Sequence, residues 1–259
     1  MNPFSFLIAA LAAFAAGAVN ALAGGGTLIT FPALTALGLP AVTANITSTV
    51  SLFPGYFGAT WAQRKDLKGQ EKRLYFLLPA AALGGLIGGL LLLQSGEKLF
   101  KQLVPFLILF ASLLLALAEP LRKRARLKTL PLSSVRKSSL PFAMLLITLA
   151  AIYGGYFGAG LSVIVLAFLA LLLEDSLTRL NALKQSIAFA TNTAAATLFM
   201  FSGQVNWSIA AVMAVSALIG GVAGGKLASR VNPTVLRWLV VGIGLIVSVV
   251  YFIQVYVTG

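Results

Sequence analysis

Apolar residues fill this chain in long continuous blocks, and the breaks between blocks are made by glycine, proline or short basic runs. In the first half the blocks are Pro3–Ala23 (a), Thr27–Leu37 (b), Ala41–Gln63 (c), Leu74–Leu93 (d) and Leu103–Ala118 (e). In the second they are Leu140–Phe157 (a′), Leu161–Leu173 (b′), Leu180–Phe201 (c′), Trp207–Leu227 (d′) and Val235–Val257 (e′). The runs do not alternate apolar with polar, which argues for helices and against a membrane barrel. Segments b and b′ have about a dozen residues each. At ~1.5 Å per residue they reach less than ~20 Å, too short for a ~30 Å hydrocarbon layer. The pattern predicts an all-α polytopic membrane protein with short broken or re-entrant half-helices.

Two glycine-rich breaks organise the pattern. The first is Asn20-Ala-Leu-Ala-Gly-Gly-Gly-Thr-Leu-Ile-Thr-Phe-Pro32, and a looser copy lies at Gly154-Gly-Tyr-Phe-Gly-Ala-Gly-Leu-Ser-Val-Ile-Val-Leu166. One offset of 136 residues carries Leu83–Gly89 onto Ile219–Gly225, with Gly-Gly pairs in register, and carries Asn45 onto Asn181. The chain therefore reads as two repeats of about five segments, at 1–119 and 140–259, joined by a basic linker at 120–139. Pro54-Gly55 predicts a kink in c.

Charge gives the repeat a direction. The loop Arg64–Arg73 has five basic residues and its mate Ser202–Asn206 has none. The link after d has Lys98 and Lys101, whereas that after d′ has Lys226, Arg230 and Arg237. Matching loops carry opposite bias, as inverted-topology repeats require. Placing the basic loops and the linker in the cytoplasm puts 17 of the 19 Lys and Arg on that side, as the positive-inside rule asks. Each half then crosses an odd number of times, either with five spans or with three spans and a re-entrant a/b pair. Both schemes leave both termini outside.

Composition narrows the chemistry. The chain is 59% hydrophobic and 10% charged, with mean hydropathy +0.97, where a soluble domain is roughly a quarter charged. The net charge of +13 reads as membrane orientation, so the partners expected are the lipid bilayer and a small anion, not nucleic acid. No Lys or Arg precedes Arg64, so segment a lacks the basic start of a signal peptide and is expected to be retained. There is no Cys and no His, and no acid lies well inside an apolar segment. Thiolate metal sites, His-based acid–base work and carboxylate proton relays lose their usual groups. We expect no catalytic residue, no metal, no cofactor and no enzyme.

An inverted repeat of broken helices is the plan of a secondary transporter, with its site where the breaks meet. A helix starting at a glycine break points free amides and its positive end at the gap. The candidate binding residues are therefore Asn20, Gly24, Gly25, Gly26 and Thr27 at the first break, and Gly158, Gly160 and Ser162 at the second. The alternative is that these glycines only allow close helix packing, which is the better reading for the pairs in d and d′. Segment c adds Asn45, Ser48 and Thr49 on one helix face, and c′ adds Lys184, Gln185 and Asn192. This face points to a cavity or to helix–helix hydrogen bonds, and Lys184 either snorkels to the surface or meets the substrate. Glu174 and Asp175 at the end of b′ are candidate gates.

The glycine triplet with Leu28-Ile-Thr-Phe-Pro32, the break Gly154–Gly160 and Ala44-Asn-Ile-Thr-Ser48 resemble the sulfite exporter TauE/SafE family, also called the toluene sulfonate uptake permeases. The resemblance covers nearly the whole chain. It implies a secondary transporter that moves a small sulfur-containing anion (sulfite, thiosulfate, sulfoacetate or another organosulfonate) across the bacterial inner membrane. A coupling ion, a proton or another, goes with such a role. The second glycine motif departs from the family pattern at Ala159, Leu161 and Ser162, and Leu166 stands where the first copy has Pro32, which favours a lopsided site. An anion channel and a non-transporting scaffold subunit are the other classes open.

Overall fold

The computed structural model describes residues 3–22, 24–127, 139–227 and 233–258, with side chains from 119 to 127 and at 139, 227 and 233 left out. Among the described residues all regular structure is helical. The helices are α1 (Pro3–Leu22), α2 (Thr27–Ala36), α3 (Ala41–Ala62), α4 (Glu71–Leu127), α5 (Ser139–Tyr156), α6 (Leu161–Leu172), α7 (Leu177–Met200), α8 (Trp207–Leu227) and α9 (Pro233–Tyr256), with one 3₁₀ turn at Arg64–Leu67.

The helices are inside-out relative to a soluble protein. On α1, Ala9, Ala13 and Ala16 are buried while Phe4, Leu7, Leu11 and Phe14 are exposed. On α4, Leu83, Leu86 and Leu90 face outward. Bulky side chains thus meet the lipid, and small residues meet neighbouring helices, because backbones must approach closely where no water drives association. Among the described residues, four helices are long and apolar enough to span a bilayer, namely Pro3–Leu22, Glu71–Ala118, Trp207–Lys226 and Thr234–Tyr256. Together these features make the chain a polytopic membrane protein.

The Gly-Gly pairs are packing devices. A methyl group on Gly84 would fall 2.5 Å from the Thr148 carbonyl oxygen of α5, and one on Gly88 would collide with that of Ile152. At 136 residues' remove, Gly220 and Gly224 meet Phe14 and Ala18 of α1 in the same way. Gly85 packs on Thr191 of α7, and its mate Gly221 packs on Gly55 of α3. The fourth segment of each half is therefore clamped to the first and third segments of the other.

These contacts also fix direction. Along α8, Phe14 and Ala18 of α1 meet Gly220 and Gly224 in rising order, and Gly55 and Ala62 of α3 meet Gly221 and Gly225. So α1 and α3 run the same way, and the short α2 between them must turn back. The same order holds for α5 and α7 along the start of α4, where Thr148 and Ile152 meet Gly84 and Gly88, and Thr191 and Phe199 meet Gly85 and Gly89. So α6 turns back as well. Helices α3 and α7 run antiparallel, since Gln63 bonds Asn181 and Phe57 packs on Phe189.

Several boundaries differ from the sequence reading. The expected link Gln94–Gln102 is helical except at Gly96 (φ 67°, ψ 172°), which breaks α4 into two arms, 71–95 and 97–127. Segment e was expected to end at Ala118, but α4 runs on to Leu127 through Arg122–Arg126, because these straight-chain basic residues sustain a helix. The rest of the expected linker, 128–138, and Arg230 lie outside the described residues. Helix α7 begins at Leu177 because Ser176 Oγ accepts from the Arg179 amide at 3.4 Å, an N-cap placed four residues before the apolar run. Helix α3 continues through Pro54.

Gly88→Leu should lower stability by about 1–3 kcal/mol through overpacking against α5. Gly242→Ala, where no atom lies within 4 Å of the added methyl, should be neutral or slightly stabilising. Thermal unfolding of the two purified variants in detergent, followed by tryptophan fluorescence, checks both.

Candidate functional site

Helix α1 stops at Leu22 because Gly24 and Gly25 take φ of 84° and 92°, conformations that L side chains avoid. The Gly24 amide still reaches back to the Val19 carbonyl at 2.8 Å. Asn20 Oδ1 then accepts from the Gly26 amide at 2.7 Å, spanning the break with a side chain. Helix α2 starts at Thr27, with its first turn held by Leu28 N to Gly25 O and Ile29 N to Gly26 O, both 2.9 Å. The carbonyls left over at the end of α1 are met from the other half. Gln185 Nε2 of α7 donates to Asn20 O at 3.1 Å and to Ala21 O at 2.8 Å.

The second break is built in the same way. Helix α5 ends at Tyr156, and Gly158 and Gly160 take φ of 81° and 80° before α6 begins. Asn45 Nδ2 of α3 donates to the Tyr156 carbonyl at 2.9 Å. Each broken helix therefore has its end satisfied by an amide from the third segment of the opposite half. Asn45 and Gln185 are both fully buried, and Asn45 Oδ1 and Gln185 Oε1 find no partner among the described residues.

The two breaks touch. A methyl on Gly24 would lie 2.6 Å from Ser162 Cβ, and one on Gly158 would lie 3.4 Å from Thr27 Oγ1. The first turns of α2 and α6 therefore lie against each other, each closed by its own amides, as in Leu28 N to Gly25 O and Val163 N to Gly160 O, both 2.9 Å. Asn20, Thr27, Asn45, Ser48, Ser162, Lys184 and Gln185 are all at least nine-tenths buried. Lys184 is 1% exposed, so its side chain stays inside the helix bundle rather than snorkelling to the surface.

Other candidates are placed differently. Gly25 packs against Leu115 and Val240, and Gly160 against Ala111 and Leu114, so both face the second arm of α4 and not the opposite break. Gly26 lies against Asn20 and the Ala16 carbonyl. Thr49 Oγ1 bonds Asn45 O, and Asn192 Nδ2 bonds Ala188 O, each one turn back on its own helix. Ser48 Oγ pairs with Thr30 Oγ1 of α2 at 2.6 Å. Sequence reasoning missed Thr30, although its place three residues beyond Thr27 was a signal.

Two structures flank the breaks. Phe31, one turn beyond Thr27 on α2, packs on Phe157 and Phe100 with ring centroids 5.6 and 6.2 Å apart, and on Tyr251 at 5.8 Å. One turn further, Thr35 bonds the Tyr251 hydroxyl and lines a cavity of about 490 Å³ with Glu97, Lys101 and Gln254. Glu97 also caps α3, its carboxylate accepting from the Ala41 and Val42 amides at 2.5 and 2.9 Å. At the other end, Asp175 binds Arg73 at 2.6 Å and Arg179 at 2.8 Å. Gln70 and Arg179 extend this network to Arg179 O and Lys68 O, and Asn181 binds Gln63. Burial would raise the Asp175 carboxyl, but hydrogen bonds from Arg73 and the Ser176 amide and the two guanidinium charges outweigh it, holding it below the usual carboxylate range.

The sulfite exporter TauE/SafE family matches residues 9–251 of this chain. A probable membrane transporter protein of Haemophilus influenzae is 30% identical over 228 residues, covering 88% of this chain and 87% of that protein. The probable membrane transporter protein YfcA of Escherichia coli K12 is 26% identical over 251 residues, covering 96% and 90%. The probable membrane transporter protein ORF9 of Sinorhizobium sp is 25% identical over 241 residues, covering 92% and 89%. No solved structure matches.

Gly24→Ala should destabilise by about 1–2 kcal/mol from the left-handed backbone, with a further clash against Ser162. Ser162→Gly on that background should restore part of the loss, and a double-mutant cycle on unfolding midpoints measures the coupling; a zero coupling term would mean the breaks are not in contact. The Asp175 pairs, about a third exposed on the arginine side, should contribute about 1 kcal/mol or less. That contribution is complete above the ordinary carboxylate pKa of about 4 and lost as pH falls through the depressed value. The stability difference between the wild type and Asp175→Asn, followed from pH 7 to pH 3, should accordingly be level down to about pH 4 and narrow below it.

Proposed function

The chain belongs to the sulfite exporter TauE/SafE family and is a membrane transporter of that family; we propose that it carries a small sulfur-containing anion, bound between the broken helices. Sulfite, thiosulfate, sulfoacetate and other organosulfonates are the candidates. The observation that carries this reading is the abutment of the two glycine breaks, Gly24 on Ser162 and Gly158 on Thr27. Two helix N-termini that meet in a buried place concentrate partial positive charge, and the buried Lys184 lies on the adjoining helix.

The side chains divide the work in a way the sequence did not suggest. Asn45 and Gln185 spend their N–H groups on helix-end carbonyls. They therefore hold the breaks open and leave the anion to backbone amides, to the Thr27 and Ser162 hydroxyls and to Lys184. In this reading the two halves are inverted repeats. The re-entrant pairs α1–α2 and α5–α6 enter from opposite faces and meet near the midplane, and each half crosses three times. The basic loop Arg64–Arg73 then lies in the cytoplasm and both termini lie outside.

Access alternates about the breaks. The Phe31, Phe100, Phe157 and Tyr251 cluster separates the anion from the outer cavity beside Lys101. The Arg73–Asp175–Arg179 network closes the cytoplasmic end. Both closures join moving parts, since Phe31 belongs to α2 and Asp175 to the α6–α7 link. Rocking of one half would loosen one as it tightens the other.

A thermal-shift panel on purified protein with sulfite, thiosulfate, sulfoacetate, taurine and carboxylate analogues tests the reading. A native-state ligand at a hundred times its Kd should add about 2.7 kcal/mol, and the sulfur anions should exceed the carboxylates. Lys184→Ala should weaken binding about tenfold or more, the value of one charge-assisted hydrogen bond. If no anion stabilises the protein, the reading fails; if Lys184→Ala binds as the wild type does, Lys184 lies outside the site.

A further inference from the structure

We propose that one Na⁺ binds beside Asn45, at the C-terminal end of α5, and accompanies the anion; this rests on the reading above. The first observation is an acceptor with nothing to accept from. Asn45 is fully buried, and its Oδ1 has no partner among the described residues. The amide cannot turn over to mend this. Its nitrogen is fixed by the Tyr156 carbonyl at 2.9 Å, and reversal would set two oxygens against each other.

The neighbourhood is rich in oxygen, and the Glu97 carboxylate sits at the first turn of α3, one turn before Asn45, where the Ala41 and Val42 amides donate to it. Ser48, on the same face of α3, shares a hydrogen bond with Thr30 at 2.6 Å, and each hydroxyl keeps lone pairs beyond it. Tyr156 O belongs to the last turn of α5, where the helix dipole is negative. Amide, hydroxyl and helix-end carbonyl oxygens are the donors that hold a coupling cation in broken-helix carriers. A single charge fits these donors better than a double one, because they are neutral oxygens and Glu97 already spends its carboxylate on the Ala41 and Val42 amides. A buried double charge held by neutral oxygens alone is too costly.

The repeat supplies the second observation. The residue 136 positions after Ser48 is Lys184, which is buried in the other half. One half thus carries a buried lysine next to Gln185, and the equivalent place in the other half holds a small hydroxyl beside an unpaired amide oxygen. The lysine is built into the chain, whereas the Na⁺ is there only when bound, and its exchange couples its gradient to the anion.

The test compares sulfite affinity, by thermal shift and calorimetry, in Na⁺, K⁺ and N-methylglucamine media of equal ionic strength. The wild type should bind about tenfold or more tightly in Na⁺. Ser48→Ala should remove most of that advantage, and Ser48→Lys should bind equally in all three media. Equal wild-type affinity in Na⁺ and K⁺ overturns the cation site and leaves the anion reading standing. If sulfite binds in no medium, the chloride salts alone decide. A higher unfolding midpoint in NaCl than in KCl, abolished by Ser48→Ala, keeps the cation site without the anion, and no difference overturns it. An ordinary water on Asn45 Oδ1 gives that last result.

Discussion

A helix that stops inside a bilayer leaves its last carbonyls and the next helix's first amides without partners, and hydrocarbon offers none. This chain stops two helices in that way, and the rest of its architecture answers the resulting demand. At the first break Asn20 reaches across to the Gly26 amide, and Gln185 arrives from α7 to serve two carbonyls. At the second, Asn45 comes from α3 to serve Tyr156. Neither half can complete its own break. The halves are bound by what each lacks, which is a stronger reason for their association than shape alone.

That dependence explains the glycine pairs of α4 and α8. For Asn45 and Gln185 to reach the opposite break, α3 and α7 must sit close to the fourth segment of the other half. Gly85 on Thr191 and Gly221 on Gly55 permit that approach. The apolar side chains take the outward positions by default, since burying them between helices gains nothing over lipid. Polar and small residues gather inside, around the two breaks.

Much of this was legible in the sequence because the breaks and pairs are composition signals. Gly24-Gly25-Gly26 and Gly158-Ala159-Gly160 stand out in an apolar chain, and one offset relates Gly84-Gly85 to Gly220-Gly221. The helices, their order and the family followed from these. The roles of single side chains did not. Asn45 and Gln185 were read as ligands from their shared face, but a face does not say which end of an amide is spent. Only the position of the Tyr156 and Asn20 carbonyls does, and those belong to the other half. Lys184 sits one turn inside its segment, where snorkelling and burial are equally open until its neighbours are known. The aromatic cluster was invisible for a further reason. Phe31, Phe100, Phe157 and Tyr251 come from four segments, and seventeen phenylalanines in an apolar chain give no contrast.

The departures from repeat symmetry say more about use than the symmetry does. A device that only held two breaks together would work equally well with matching residues. Here Ser48 faces Lys184 across the repeat, and Thr27 faces Leu161. The first break keeps three glycines and a polar opening turn, while the second trades them for bulk. A symmetric pair of N-termini would attract any small anion and have no means of releasing it to one side in preference to the other. On the proposed reading, a buried lysine in one half and a hydroxyl in the other would make the two faces of the site energetically distinct. The binding energy of the anion would then depend on which half is tightened around it, and that difference is what a carrier needs in order to move its cargo in a direction.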